Sequence, residues 1–251
     1  MAGFLSSSVK RALIIAAGRG MRLDSHSREV PKSLIPIGDR SIMQIILETL
    51  SSAAIAEAII VTGYKADILE ERLGDGSKHG VCITFVRNDH WELKNGVSVH
   101  LARHLFSSDE QFLLMMSDHL FSINILHDLI EQPLNPGEVS LAVDTRLDSI
   151  FDIDDATKVF VEGSLIRRIG KTLRKYNGVD CGLFKCTSGI FDALDAAMAV
   201  EGDCSLTDGG KELALQGRLK AVPIKNGHWI DIDTPEALEH AVKLLRPLRL
   251  E

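Results

Sequence analysis

The stretch that most restricts the fold is "RALIIAAGRGMRL", residues 11–23. Ala12 to Ala17 are all small or aliphatic, so a strand built from them has no side to turn toward water. Such a strand must be covered on both faces, the condition of a strand inside a parallel sheet sandwiched by helices. The run stops at Gly18 and Gly20. Arg11 to Ala17 is therefore read as a buried parallel strand that opens into a glycine loop.

The same grammar repeats downstream. Ile42, Ile45, Ile46, Thr49 and Leu50 fall at helical spacing in "SIMQIILETLSSAAI", and "EAIIVTGY" is a second buried strand. "KADILEERLGDG" predicts a helix with a glycine stop, "VCITFVRN" a third strand, "GVSVHLARHLF" a helix, and "QFLLMMSDHLF" a fourth strand ending at Asp118. Strands alternating with helices predict an α/β domain with a mixed, mainly parallel central sheet. The second half changes character. "TKVFVEGSLIRRIG" alternates on both sides of Glu162-Gly163 and predicts an antiparallel hairpin, a lid or insertion on the domain. "DCGLFKC" follows as a strand, "SGIFDALDAAM" as a helix, and "PEALEHAVKLLRPL" as an amphipathic closing helix. No repeat, low-complexity tract or linker divides the chain. Residues 1–251 are thus expected to form one domain, and 45% apolar content suffices for its core.

A net charge of -7 and a pI near 5.7 argue against nucleic-acid binding through a broad basic surface. They leave room for a local basic pocket that takes a phosphorylated small molecule. Cys82, Cys181, Cys186 and Cys204 contain no C-x-x-C pair, the chain starts without a charged-then-apolar leader, and no apolar run reaches the ~18 residues of a membrane span. The expectation is a cytoplasmic chain with reduced thiols and no membrane segment, its start "MAGFLSSSVKR" a loose terminus or a short interfacial anchor.

Gly18 and Gly20 would let backbone N–H groups approach a phosphate. A dinucleotide fingerprint would require a third glycine at Leu23, and a P-loop would require Gly-Lys-Ser or Gly-Lys-Thr; both patterns fail. What remains is a glycine loop with Arg22 and, ten residues on, Lys32 behind Pro31. Two cations beside a phosphate-sized nest suit a triphosphate, while the plainer reading is a turn with solvated charges. The polar residues Asp24 to Glu29 between them are expected to be mobile.

Asp118, closing an apolar strand, needs a partner, either a divalent cation or the helix it would cap. Asp231 and Asp233 sit at alternate positions of "WIDID" and would face opposite ways in a regular strand; Asp233 also suits a helix cap. Lys171 and Asp180 follow the hairpin, where they could meet the phosphate and hydroxyls of a second substrate or simply face solvent. His79, His90, His119 and His228 lack metal-ligand spacing and receive no role.

"AAGRGMRL" followed by "PKSLIPIG" resembles the signature of the nucleotidyltransferases that join a nucleoside triphosphate to a sugar or alcohol phosphate. Met21 departs from it, standing where the family usually carries Thr or Ser. "VTGYK" at residues 61–65 and "NDHWELKNGVSV" at residues 88–99 extend the likeness over most of the chain. The resemblance implies a three-layer, Rossmann-like, glycosyltransferase-A-like α/β/α fold with a β-hairpin insertion. It implies a nucleotide site of Ala16, Ala17, Gly18, Gly20, Gly63, Asn95, Gly96 and Ser98, with Arg22, Lys32 and Lys171 neutralising phosphates. It further implies Asp118 and Asp231 as ligands of Mg2+, Asp233 as a further ligand or support, and Asp180 on the acceptor. Read without the family, Asn95-Gly96 is also an ordinary turn before a helix capped by Ser98.

Within the family, "MMSDHLF", "IGKTLRKYNGVDCGLFKC" and "WIDIDTPEAL" resemble the CTP:inositol-1-phosphate cytidylyltransferases. That likeness implies CTP and inositol 1-phosphate as substrates, CDP-inositol and pyrophosphate as products, no nucleic-acid partner, and compatibility with a homodimer. Bifunctional relatives carry a fused membrane-embedded synthase, so a stand-alone or excised domain is expected here. Three alternatives stay open. They are a sugar-1-phosphate uridylyl- or thymidylyltransferase, a phosphocholine-type enzyme, which two Trp and two Tyr make hard to supply with an aromatic cage, and a catalytically silent nucleotide-binding subunit of the same fold.

Overall fold

Residues 9–23 and 29–245 are described by the structure, a computed structural model. The expectations for the first eight residues, for residues 24–28, for the end of the closing helix at residues 246–248 and for the Met21 side chain lie outside that range. Strand β1 (Arg11–Ala16) is the third strand from one edge of a sheet that has nine strands among the described residues. Its side chains divide between two apolar clusters, Ala12, Ile14 and Ala16 in one and Leu13, Ile15 and Ala17 in the other. Residues two apart share a face of a strand, so an unbroken apolar run has a core on each side.

The first cluster also receives Ile42, Met43, Ile45, Ile46, Leu47 and Leu50 from α1 (Ile42–Ser52), Leu69 and Leu73 from α2 (Ala66–Leu73), Ile125, Leu126 and Leu129 from α4 (Ile123–Glu131), and Ala237 and Ala241 from α7 (Pro235–Leu245). The second receives Val99 from α3 (Asn95–Leu101), Ile190, Phe191, Ala193 and Leu194 from α5 (Gly189–Glu201), and Leu206, Leu213 and Ala214 from α6 (Leu206–Leu215). Helix, sheet and helix thus form the three layers. A short hairpin of β2 (Pro36–Ile37) and β3 (Arg40–Ser41) leads into α1, whose start is fixed by reciprocal Ser41 and Gln44 hydrogen bonds.

From one edge, β5 (Cys82–Arg87), β4 (Glu57–Thr62), β1 and β6 (Phe112–Met116) are parallel. The long β11 (Gly178–Cys186) then enters antiparallel between β6 and β8 (Val139–Asp144), and β12 (Leu219–Pro223) lies parallel to β8. The hairpin of β9 (Lys158–Glu162) and β10 (Leu165–Gly170) forms as expected, but it is not a separate lid. β10 pairs with β12 and β9 with β11, so the hairpin completes the central sheet.

The fourth apolar run is two strands rather than one. β6 ends at Met116, the chain turns at Ser117-Asp118, and β7 (His119–Phe121) leaves the main sheet to pair antiparallel with β13 (Trp229–Asp231). A polar pair is cheaper in a turn at the sheet's rim than within a strand buried on both faces. Register in this ribbon sets Trp229 opposite Phe121 and Asp231 opposite His119.

Candidate active site

The carboxyl ends of β1 and β6 open onto a cavity of about 300 Å3, lined by Ala16, Ala17, Gly18, Gly20, Arg22 and Lys32 on one side and by Trp91, Leu93, Asn95 and Ser98 on the other. Ligands bind at this end of open α/β sheets. A Cβ on Gly18 would meet no atom of the described residues within 4 Å. Gly20 has φ +67°, and a Cβ there would lie 2.9 Å from Cβ and Cδ of Lys32. The glycine both permits the turn and lets the lysine stem run against the loop.

Gly63 and Gly96 serve packing. A Cβ on Gly63 would come within 2.6 Å of Trp91 Cβ and 2.8 Å of the Ala17 carbonyl oxygen, and one on Gly96 within 2.6 Å of the Cys204 carbonyl oxygen. They let Trp91 and α3 close on the cavity from behind. Asn95 begins α3 and accepts a hydrogen bond from the Leu206 N–H at 2.8 Å, tying α3 to the start of α6. Ser98 is buried inside α3, where its hydroxyl accepts from Asn88 Nδ2 at 2.9 Å; it does not cap the helix.

The expected cations are engaged by carboxylates. Lys32, 7% exposed in the short turn after Pro31, donates to Asp118 Oδ2 at 2.6 Å and to Asp233. Arg22 donates to Asp233 and to Asp155, and Lys171 to Asp155 at 3.0 Å. The result is a ladder of alternating charge, Asp118, Lys32, Asp233, Arg22, Asp155, Lys171. Burial alone would lower the Lys32 pKa, but Asp118 and Asp233 outweigh it and raise it. Burial alone would raise that of Asp118; Lys32 and His119 hold it well below the usual carboxylate range. Asp155 was not singled out in the sequence. The buried Lys158 presents it by donating to the flanking carbonyls of Asp154 and Ala156, at 2.9 and 3.2 Å.

Asp118 lies in the turn between β6 and β7 and caps no helix, since α4 begins at Ile123. His119, given no role from sequence, belongs to the site. Its Nδ1 is 2.7 Å from Asp118 Oδ1 and 3.8 Å from Asp231 Oδ1. One donor atom from each of Asp118, His119 and Asp231 falls within 4.8 Å of the others, a grouping able to hold a metal ion. Asp231 Oδ1 is buried without a hydrogen-bond partner among the described residues, the condition a cation would relieve. Burial, reinforced by Asp118 and Asp233 and opposed by His119, pushes the Asp231 pKa up to about 7. Burial lowers that of His119, yet Asp231 and Asp118 raise it to about 9.

The chain bends after β13, with the Ile232 N–H donating to the Asp118 carbonyl at 2.9 Å. Asp231 and Asp233 therefore reach one site rather than opposite faces, Asp231 toward His119 and Asp233 toward Lys32 and Arg22. The capping role expected of Asp233 falls to Thr234, whose hydroxyl accepts from the Ala237 N–H at 3.2 Å.

A second cavity of about 320 Å3 adjoins the first and shares Arg22, Asn95, Met116, Asp118 and Asp233 with it. Its further walls include Lys171, Asp180, Thr157, Thr207, Trp229 and Asp231. Asp180 accepts from the Gly182 N–H at 2.7 Å, and burial pushes its pKa up to about 6. Trp229 is anchored by its indole N–H on the buried Asp144, 3.0 Å away, and Arg146 in turn grips that carboxylate. Trp229 heads the quoted "WIDID" stretch but was given no role from sequence, and Thr157 and Thr207 fall at no site motif. The geometry joins two ligand-sized spaces through one wall of cations and carboxylates, suited to holding two phosphorylated molecules end to end.

Residues 11–144 match the family described as nucleotidyl transferase. The bifunctional IPC transferase and DIPP synthase of Aquifex aeolicus is 31% identical over 94% of this chain and 52% of its own length. The protein of that name from Archaeoglobus fulgidus is 32% identical over 94% and 44%. The chain spans about half the length of these curated relatives. Among solved structures, the inositol-1-phosphate CTP transferase from T. maritima superposes with a TM-score of 0.84 at 27% identity, covering 97% of both chains. A putative glucose-1-phosphate thymidylyltransferase from Bacillus anthracis, at 20% identity, covers 94% of this chain and 95% of its own with a TM-score of 0.79 and shares the fold.

Proposed function

This chain belongs to the nucleotidyl transferase family, and from that premise we propose that it transfers CMP from CTP to a phosphorylated alcohol, inositol 1-phosphate, releasing pyrophosphate and forming CDP-inositol. The observation that carries the reading is the pair of cavities meeting at Arg22, Asp118 and Asp233. The inositol-1-phosphate CTP transferase likeness supports the choice of nucleotide and acceptor.

In this reading CTP lies in the first cavity. Gly18 and the Ala16-Ala17 backbone flank its phosphates, and Asn95 and Ser98 line the far wall, where an amide and a hydroxyl can read a base edge. Gly63 and Gly96 shape that wall from behind. The acceptor occupies the second cavity, its phosphate toward Lys171 and its hydroxyls toward Asp180. An oxygen of the acceptor phosphate attacks the α-phosphorus, the bond to the β-phosphate oxygen breaks, and pyrophosphate leaves. A phosphate dianion is already a nucleophile near neutral pH, so positioning and charge stabilisation suffice.

Arg22 and Lys32 are held before substrate arrives, each between two carboxylates, and exchange those partners for phosphate oxygens. The carboxylates so released can take a divalent cation, for which the orphaned Asp231 Oδ1 and the adjacent Asp118 fit. We assign Mg2+ to Asp118 and Asp231, with Asp233 beside it on Lys32 and Arg22; when bound it supplies positive charge to the phosphates. Residues 1–251 act as one domain. No helix among the described residues is long and apolar enough to cross a membrane, and we assign the reaction to the cytoplasm.

The test is pyrophosphate release from each of CTP, UTP, dTTP, ATP and GTP with inositol 1-phosphate, glycerol phosphate, phosphocholine and glucose 1-phosphate. CTP with inositol 1-phosphate should give the highest rate. Faster turnover with UTP or dTTP would overturn the nucleotide assignment, and absence of turnover with every pair would leave a binding module.

A further inference from the structure

His119 stands against the cation site in a way that a mere counter-ion does not require. It is fixed on three sides. Register in the β7–β13 ribbon sets it opposite Asp231. The Trp229 ring lies nearly parallel to it, at 8° and 6.1 Å between centroids. Its outer edge abuts β11 at Gly182, where φ is +75° and a Cβ would lie 2.5 Å from the imidazole Cδ2 and 2.8 Å from Nε2. Only a glycine backbone leaves room for the ring at that point.

The nitrogen so aimed is Nδ1. It lies 2.7 Å from Asp118 Oδ1 and 3.8 Å from the unpartnered Asp231 Oδ1. Asp118 turns its other oxygen to Lys32, so Oδ1 is the atom left to face inward. Two ligands at right angles on an ion with bonds of about 2.1 Å stand about 3.0 Å apart, and the two observed separations bracket that spacing.

We propose that His119 Nδ1 is a direct ligand of the divalent cation together with Asp118 and Asp231, making a mixed oxygen and nitrogen site that favours a first-row transition ion such as Mn2+ over Mg2+. An all-carboxylate site suits Mg2+, whereas imidazole adds affinity for transition ions. Mg2+ can still serve through its abundance, since selection in cells follows availability as well as affinity. The proposal rests on the metal part of the function proposed above and is independent of which nucleotide or acceptor is used.

The experiment is pulsed electron paramagnetic resonance on the full chain with Mn2+ and no nucleotide. The bound ion should show a nitrogen coupling from one imidazole, lost in His119→Gln. Titrations with Mn2+ and Mg2+, followed by tryptophan fluorescence, should show Mn2+ affinity falling roughly tenfold or more in that variant. Mg2+ affinity should fall less. Bound Mn2+ without nitrogen coupling, or tighter binding of both ions in His119→Gln, would overturn the inference and leave the proposed reaction standing. No Mn2+ binding to the unaltered protein would overturn it together with the metal assignment.

Discussion

Replacing Lys32 by methionine keeps the aliphatic stem against Gly20 and removes the charge that joins Asp118 to Asp233. The lysine side chain is 8% exposed and those carboxylates 19% and 21%. Removing one member of a buried pair costs about 3–5 kcal/mol, and partial exposure of the carboxylates points to the lower end, about 3 kcal/mol. In a chain of this size each kcal/mol moves the midpoint by about 2–4 °C, so the loss at pH 7 should be roughly 6–12 °C. The pH dependence has a definite sign. Asp118 is depressed in the folded chain, so its pairing stabilises above the unfolded carboxylate pKa of about 3.9 and is lost as pH falls toward the lower folded value. Urea melts of both proteins should therefore differ fully at pH 7 and draw together progressively as pH falls below about 4. Saturating divalent cation should narrow the gap at pH 7, because the carboxylates then gain another positive partner. A difference under about 1 kcal/mol at pH 7, or one that widens on acidification, would rule out Lys32 as the charge that stabilises Asp118 and Asp233.

Other changes separate the parts of the site. Gly20→Ala forces a side chain onto a backbone at φ +67° and against the Lys32 stem; it should cost about 1–3 kcal/mol in thermal melts and raise KM for the triphosphate. Asp231→Asn should weaken divalent-cation binding in calorimetry yet stabilise the ligand-free protein. The folded pKa of about 7 lies above the unfolded value, so ionising Asp231 costs stability progressively from about pH 4 to above pH 7, a cost asparagine removes. The gain should be about 1 kcal/mol at pH 8, kept small because the side chain is 36% exposed and screened. Lys185→Met strips the buried ammonium that bonds the Ile130 and Gln132 carbonyls at 2.8 and 2.7 Å; urea melts should lose about 1–3 kcal/mol while KM for CTP stays unchanged.

Much of the fold was written locally. The apolar run at Ala12–Ala17 demands cover on both faces, and the two clusters provide it. The alternation around Glu162-Gly163 specifies a hairpin, but which strands that hairpin joins depends on partners far along the chain, so its place in the main sheet was hidden. β8 was missed because the apolar run "VSLAVD" has no glycine stop after it. In the site, Gly18, Gly20, Arg22, Lys32, Asp118 and Asp231 carry motif spacing and converge. Asp155 lies in no motif, and His119 stands in the quoted "MMSDHLF" without metal-ligand spacing. His119 enters through cross-strand register with Asp231, and Asp155 through the clamp of Lys158 on its neighbours. The adjacency of His119 to a strand-ending carboxylate was the one local signal that could have flagged it. That Arg22 and Lys32 sit between carboxylates follows from neutrality in a partly buried site, which no spacing rule expresses.

In the proposed reaction the wall shared by the two cavities passes CMP from one phosphate to another. Phosphorus NMR of the protein mixed with CTP, inositol 1-phosphate and Mg2+ tests it directly. Equal growth of a diphosphodiester and of pyrophosphate is expected, dependent on the acceptor and lost in Asp118→Ala. Appearance of CMP, CDP or inorganic phosphate without the diphosphodiester, or pyrophosphate release that ignores the acceptor, would contradict it.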